Sequence, residues 1–290
     1  MAIFVRYKTK TTLATTQRLI LVFIWMLFIF GSHAQIMVQD SAGKPVNNIE
    51  KDTLGGITIF LNDSVKIEMV LVDAGWFMMG YESGYSNEKP LHKVTLDAYY
   101  IAKFEVSQEL WQLVTGKNPA HFKDCSNCPV EMVSYHDAAD FIDRLNRLSR
   151  QSFRLPTEAE WEFAAKGGST KKKTRYSGSN KIDEVAWYSR NAGERPHPVG
   201  LKLPNALGIF DMSGNVFEWT QDWMGRYKHN DQINPKGATK GKTKVVRGGC
   251  WYDTNDGCRI HCRVEVEPSE KNGCLGLRLA LDGSFNGSSK

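Results

Sequence analysis

Apolar and polar residues alternate from Ile57 onward. "ITIF" (57–60) and "VKIEMVLVDAGWFMMG" (65–80) put apolar side chains at about every second position, broken by turn residues, and so predict half-buried strands. "HKVTLDAYYIAKFEV" (92–106) predicts two more. The period then changes. Ser107 precedes "QELWQLVTG", a helix expected to stop at Gly116. After Ser134, residues Ala138, Phe141, Ile142, Leu145 and Leu148 fall on one helical stripe. Thr157 and Glu160 frame a capping box for a third helix, which carries Trp161 and Phe163 and ends at Gly167–Gly168. Beyond it regular signals fade. Short strands are expected at "GIFDM" (208–212), "VFEWTQDW" (216–223), "KVVRGG" (244–249) and "LGLRLAL" (275–281). There is no repeat and no second apolar core. The pattern predicts one loop-rich α+β domain over residues 57–282, behind a polar linker at 35–56 and ahead of a tail at 283–290.

Composition adds the compartment. The chain has 290 residues and a formal net charge of +5. Arg6, Lys8, Lys10 and Arg18 lie in residues 1–34, which carry no acid, so the rest of the chain is close to balanced. That removes the electrostatic case for nucleic-acid binding. The same residues read as a signal peptide. A basic stretch ends at Arg18, the apolar run "LILVFIWMLFIFG" follows, and Ser32 and Ala34 supply the small residues of a cleavage site before Gln35. The expected mature chain is exported, to the periplasm, outer envelope or exterior, and has no transmembrane segment.

Export changes how six cysteines are read. An even number in an oxidising compartment favours disulfides. Cys125 and Cys128 in "DCSNCPV" predict a small local disulfide rather than a redox or metal pair, because no second CxxC partners them. Cys250, Cys258, Cys262 and Cys274 allow three pairings, and the sequence leaves them open. "CRIHC" (258–262) is a thiol–imidazole cluster, read as disulfide or core in an exported chain. The basic run "STKKKTR" is read as a solvated loop. His92, His121, His136, His197 and His229 are scattered and suggest no ligand set.

Four ordered segments carry a resemblance: "LVDAGWFMMGYESGYSNEKPLHKVTLDAYYIAKFEVSQELW", "FRLPTEAEWEFAAKGG", "PNALGIFDMSGNVFEWTQDW" and "VVRGGCWYDTNDGC…NGCLGLRLA". Each resembles the matching part of the formylglycine-generating enzyme / sulfatase-modifying factor family. The resemblance implies a single domain related to the C-type lectin-like fold. It also implies a structural Ca²⁺ site at "DMSGNVFEW", with the carboxylates of Asp211 and Glu218 and the carbonyls of Gly214 and Val216 as oxygen ligands suited to a hard cation. "VAWYS" offers nothing for the family's other calcium site. In "RLPTEAEWEFA", Glu160 is read as a cap, Arg154 and Trp161 as scaffold, and Glu158 as solvated.

The family's oxidising members convert a substrate cysteine to formylglycine with O₂. They use two cysteines, five positions apart, that bind Cu(I) after the double glycine. Counted from Gly249, the second of these falls on Cys258 and the first on Asp253. A carboxylate is a hard ligand and cannot complete a two-thiolate Cu(I) site, so Cu(I) is not expected here. The expectation is an exported family member acting as an envelope binding or assembly module for a protein, peptide or glycan partner. The alternative is an oxygenase of the same family that matures an exported protein.

Overall fold

The computed structural model describes residues 49–283. The expected signal peptide at 1–34 and most of the expected tail lie outside these residues. The strands, in chain order, are β1 (Ile49–Lys51), β2 (Ile57–Phe60), β3 (Lys66–Val72), β4 (Gly75–Met79), β5 (His92–Leu96), β6 (Tyr99–Ala102), β7 (Phe217–Trp223), β8 (Gln232–Ile233), β9 (Lys244–Arg247), β10 (Val264–Val266), β11 (Leu275–Leu277) and β12 (Ala280–Asp282). The helices are α1 (Gln108–Thr115), α2 (Tyr135–Ser149), α3 (Glu158–Ala165) and the single turn α4 (Ile182–Val185). Between α3 and β7 the chain makes about fifty residues of turns around α4.

The strands form three small sheets. β1-β2-β3-β6-β12 is antiparallel throughout, and β12 brings the chain's end back beside β6. β10-β9-β7-β11 carries the sequence's glycine-rich segments and includes a parallel β11·β7 pair. β4-β5-β8 is the third sheet. One core joins the first two sheets to α1 and α2 through Leu110, Trp111, Phe141, Leu145, Trp219 and Leu277. A second core, against the expectation of a single one, packs the β4-β5-β8 sheet on α3 through Phe77, Val94, Trp161 and Phe163, because α3 is buried on every side.

Local chemistry sets the helix ends. Ser107 accepts from the N–H of Leu110, and α1 closes at Gly116 in the left-handed conformation. Ser134 with Asp137, and Thr157 with Glu160, form reciprocal capping boxes for α2 and α3. Three expectations change. "GIFDM" is not a strand: Asn205 Oδ1 accepts from the N–H groups of Leu207 and Ile209, which holds the segment as a turn while Ile209 and Met212 reach the core. "LGLRLAL" divides into β11 and β12 in different sheets, because Arg278 between them turns its guanidinium inward. β1 lies within the stretch expected as linker and pairs with β2. Among the described residues no helix is long and apolar enough to cross a membrane.

Candidate functional site

β9 ends at Arg247, and the double glycine turns the chain into the 250–262 segment. Both glycines have positive φ, and a Cβ on Gly249 would sit 2.8 Å from Cys258 Sγ, so this approach needs glycine. Cys250 is bridged to Cys274, which leaves Cys258 and Cys262 as thiols. This settles the open pairing and, of the two roles expected for "CRIHC", leaves the core one. Cys258 is fully buried beside Tyr176, Val185 and Tyr188. Burial, then the charge of Asp253, pushes its thiol far up, and burial pushes Cys262 up to about 11. Both are poor thiolates, and reactivity follows the thiolate.

Asp253 lies close enough for its charge to act on Cys258. Its own carboxyl is raised by burial, against a backbone hydrogen bond from Thr254. The site therefore offers one carboxylate and one sealed thiol. Its outer surface is different. Tyr252 is 71% exposed and Tyr85 is 55% exposed, and the Tyr85 hydroxyl donates to Asp256 at 2.7 Å. Asp256 also takes Arg175 at 2.7 Å and Arg259 at 3.1 Å.

Beneath the segment lies a buried charge lattice. Arg247, fully buried, donates to Glu162 at 2.5 Å and to the carbonyls of Ile260, His261 and Cys262 at 2.9–3.2 Å. Arg263 grips Glu158 with two bonds, and Arg259 grips Glu88 likewise. Glu158, expected in solvent, is thus buried; its partner lies 105 positions away in sequence. Glu160 is a cap and is held by Arg154, and Trp161 is core, as expected. Burial opposes ionisation of Glu162, but Lys166, His261 and Arg247 together hold its carboxyl well below the usual range. Among the described residues no three His, Cys, Asp or Glu side chains converge as a metal site, "CRIHC" included.

Asp222 is the lattice's ill-matched member. It accepts from the N–H of Glu158 at 2.8 Å, yet burial and then Glu158 push its carboxyl up to about 7. A raised acid stabilises the fold below its unfolded pKa, near 4, and loses that contribution as pH rises through 7. Asp222→Asn is expected to match the parent at pH 4 and to exceed it at pH 8 by on the order of 1–3 kcal/mol, less than the full shift because the backbone bond persists. Denaturant midpoints at the two pH values check this; a variant weaker at pH 8 would refute it.

The expected calcium residues gather on the other side of β7. Asp211 and Glu218 are buried with Glu105, which accepts from Asn215 Nδ2 and the N–H of Val216. Glu218 takes Arg278 at 2.7–3.0 Å and Trp161 Nε1 at 2.7 Å. Asp211 Oδ2 accepts from the N–H of Gly200 at 2.7 Å, while Oδ1 is buried without a partner. Gly214 lies against Trp187, whose carbonyl would be 2.1 Å from any Cβ there. Three carboxylates thus face one guanidinium. The surplus shows in Glu105, pushed well above its usual range by burial, Asp211 and Glu218, and in Asp211, pushed up to about 6 chiefly by burial. Asp211 Oδ1 is thus an orphaned buried oxygen in a cluster with more acids than bases, although no three of these carboxyls group as metal ligands. Glu218 could contribute to a cation site only by sharing its oxygens with Arg278.

Residues 62–283 match the family model described as the sulfatase-modifying factor enzyme 1-like domain. The chain belongs to the sulfatase-modifying factor family. Its α+β, loop-rich architecture is that of the family, as the sequence predicted. Among known relatives it is 35% identical to "Chaperone protein LppX" of Paenibacillus barcinonensis, over 75% of this chain and 90% of that one. It is 28% identical to the formylglycine-generating enzyme of Mus musculus, over 74% of this chain and 75% of that one. Among solved structures, Treponema denticola variable protein 1 matches with a TM-score of 0.72 and 31% identity, covering 82% of this chain and all of that one. The buried Glu105 was missed in the sequence because no motif marks it. The Arg partners of α3 were missed because they lie on distant strands and loops.

Proposed function

We propose that this family member is a binding or assembly module of the cell envelope, without copper-dependent formylglycine-generating activity. The observation that carries this reading is the pairing of Asp253 with a sealed Cys258. The position of the family's first thiolate holds a carboxylate, and the second thiol is buried and hard to ionise. The same segment turns Tyr252 outward, and Tyr85 lies exposed beside its Asp256, an aromatic surface suited to a polypeptide partner. Similarity to a protein named as a chaperone supports a role in the assembly of another exported protein.

A Ca²⁺ ion held by Asp211, the carbonyls of Gly214 and Val216, and a shared Glu218 would stabilise the scaffold in this reading. It would neutralise the surplus charge left by Glu105, Asp211 and Glu218 around Arg278.

Restoring the missing thiol tests the reading. Asp253→Cys is expected to gain Cu(I) binding by at least about tenfold over the parent in competition with a chromogenic Cu(I) chelator, since two thiolates then face a soft ion. A parent chain that already binds one Cu(I) tightly, and loses it in Cys258→Ser, would defeat the proposal.

A further inference from the structure

Cys125 and Cys128 close a disulfide across a sequence separation of 3. We propose that this bridge is a thiol–disulfide exchange site that accepts two electrons from the dithiol of an exported polypeptide. The proposal does not depend on the 250–262 segment.

Loop size separates the two disulfides. The stabilisation from closing a loop grows with the logarithm of its length, so Cys125–Cys128 contributes less than Cys250–Cys274, with its separation of 24. The short loop is also held without its sulfurs. The first N–H groups of α1, on Gln108 and Glu109, donate to the carbonyls of Cys128 and Ser126 at 2.9 Å, and Val199 donates to Asn127 at 3.0 Å. Opening the bridge therefore leaves its backbone frame in place, and the positive end of α1 faces the loop in both redox states.

Access distinguishes the sulfurs. Cys128 is 2% exposed, with Sγ against the carbonyl of Pro196, whereas Cys125 is half-buried. A surface cavity of about 390 Å³ adjoins the loop. Lys123 and Ser126, on either side of Cys125 in sequence, line it together with Asn62, Gln112 and Asn118. Asn118 and the Asn62 oxygen are engaged within the chain, so Gln112 and Ser126 are left to meet the main chain of an extended peptide, and the Lys123 ammonium favours a thiolate arriving beside the cavity. Glu109, also in the lining, opposes it.

The reaction balances without a further oxidant. A substrate thiolate attacks Cys125 Sγ, the Cys125–Cys128 bond breaks, and Cys128 leaves as a thiolate and takes a proton. The second substrate thiolate attacks its own partner sulfur in the mixed disulfide and releases Cys125. The substrate is oxidised to a disulfide, and the pair is reduced to two thiols.

The test equilibrates the oxidised full chain with graded ratios of reduced to oxidised glutathione, then quenches by alkylation and reads each cysteine by mass spectrometry. Cys125 and Cys128 are expected to open at ratios at least about tenfold less reducing than Cys250 and Cys274, with an unchanged near-ultraviolet dichroism spectrum. Cys128→Ser should then trap a mixed disulfide at Cys125 with the oxidised form of a bis-cysteine peptide, while Cys125→Ser traps none at Cys128. Opening of both bridges together, or of Cys125–Cys128 only as the fold melts, would overturn the proposal. Failure of a folded Cys128→Ser to trap peptide would do the same. Should that variant not fold, the glutathione titration of the parent chain decides alone.

Discussion

Arg247→Ala is expected to destabilise the chain by about 3–5 kcal/mol, the scale of a buried ion pair that loses one partner. Arg247 is fully buried and reaches Glu162 and the carbonyls of Ile260, His261 and Cys262. Removing it strands three buried carbonyls and withdraws the shortest of the bonds to Glu162. Lys166 and His261 remain on Glu162, which places the expectation at the lower end of the range. At about 2–4 °C per kcal/mol for a domain of this size, the melting temperature should fall by about 6–12 °C. The turn that buries Cys258 and Cys262 should loosen as well, so both thiols should alkylate faster below the melting point. A loss under about 1 kcal/mol with unchanged alkylation would mean that the lattice does not hold the segment.

Chelation is expected to have a comparable effect through Asp211. A cation at a thousand times its dissociation constant stabilises the fold by about 4 kcal/mol, and removing it reverses that gain. Asp211→Asn keeps the shape of the side chain and discards its charge, so the variant should melt at the same temperature with and without chelator. Calorimetry of parent and variant, each in excess Ca²⁺ and in excess chelator, gives the comparison. A parent curve unmoved by chelation would leave Arg278 and Lys202 as the counter-charges that act on Asp211 and end the calcium proposal.

What the sequence made legible was whatever acts locally. Ser107, Ser134, Thr157 and Gly116 mark helix ends because a cap is satisfied within a few residues of itself. Alternation revealed β2 to β5 because each has one face in a core, while β6 is buried on both faces, one in each core. The position of Asp253 was legible from counting along a glycine turn. Long-range pairing was not. Glu158 on α3 looks like an ordinary solvent-facing acid, and only the fold brings Arg263 to it. Arg278 interrupts an apolar run, and its partner Glu218 lies 60 positions earlier. The pairing of Cys250 with Cys274 rather than Cys258 depends on how β9 and β11 flank β7 in one sheet, which no spacing rule encodes.

The loop's fate rests on two donors that a charge-neutral reading would miss. Burial and then Asp253 raise the Cys258 thiol, which in the proposed function leaves the segment with neither thiolate of a Cu(I) pair. In the proposed function this scaffold does not perform the family's oxidation. The most direct measurement incubates the reduced, copper-supplied chain with a Cys-x-Pro-x-Arg peptide under O₂ and follows the peptide by mass spectrometry. No aldehyde is expected above the level of a chain-free control. Aldehyde that forms with the parent chain and vanishes in Cys258→Ser would contradict it.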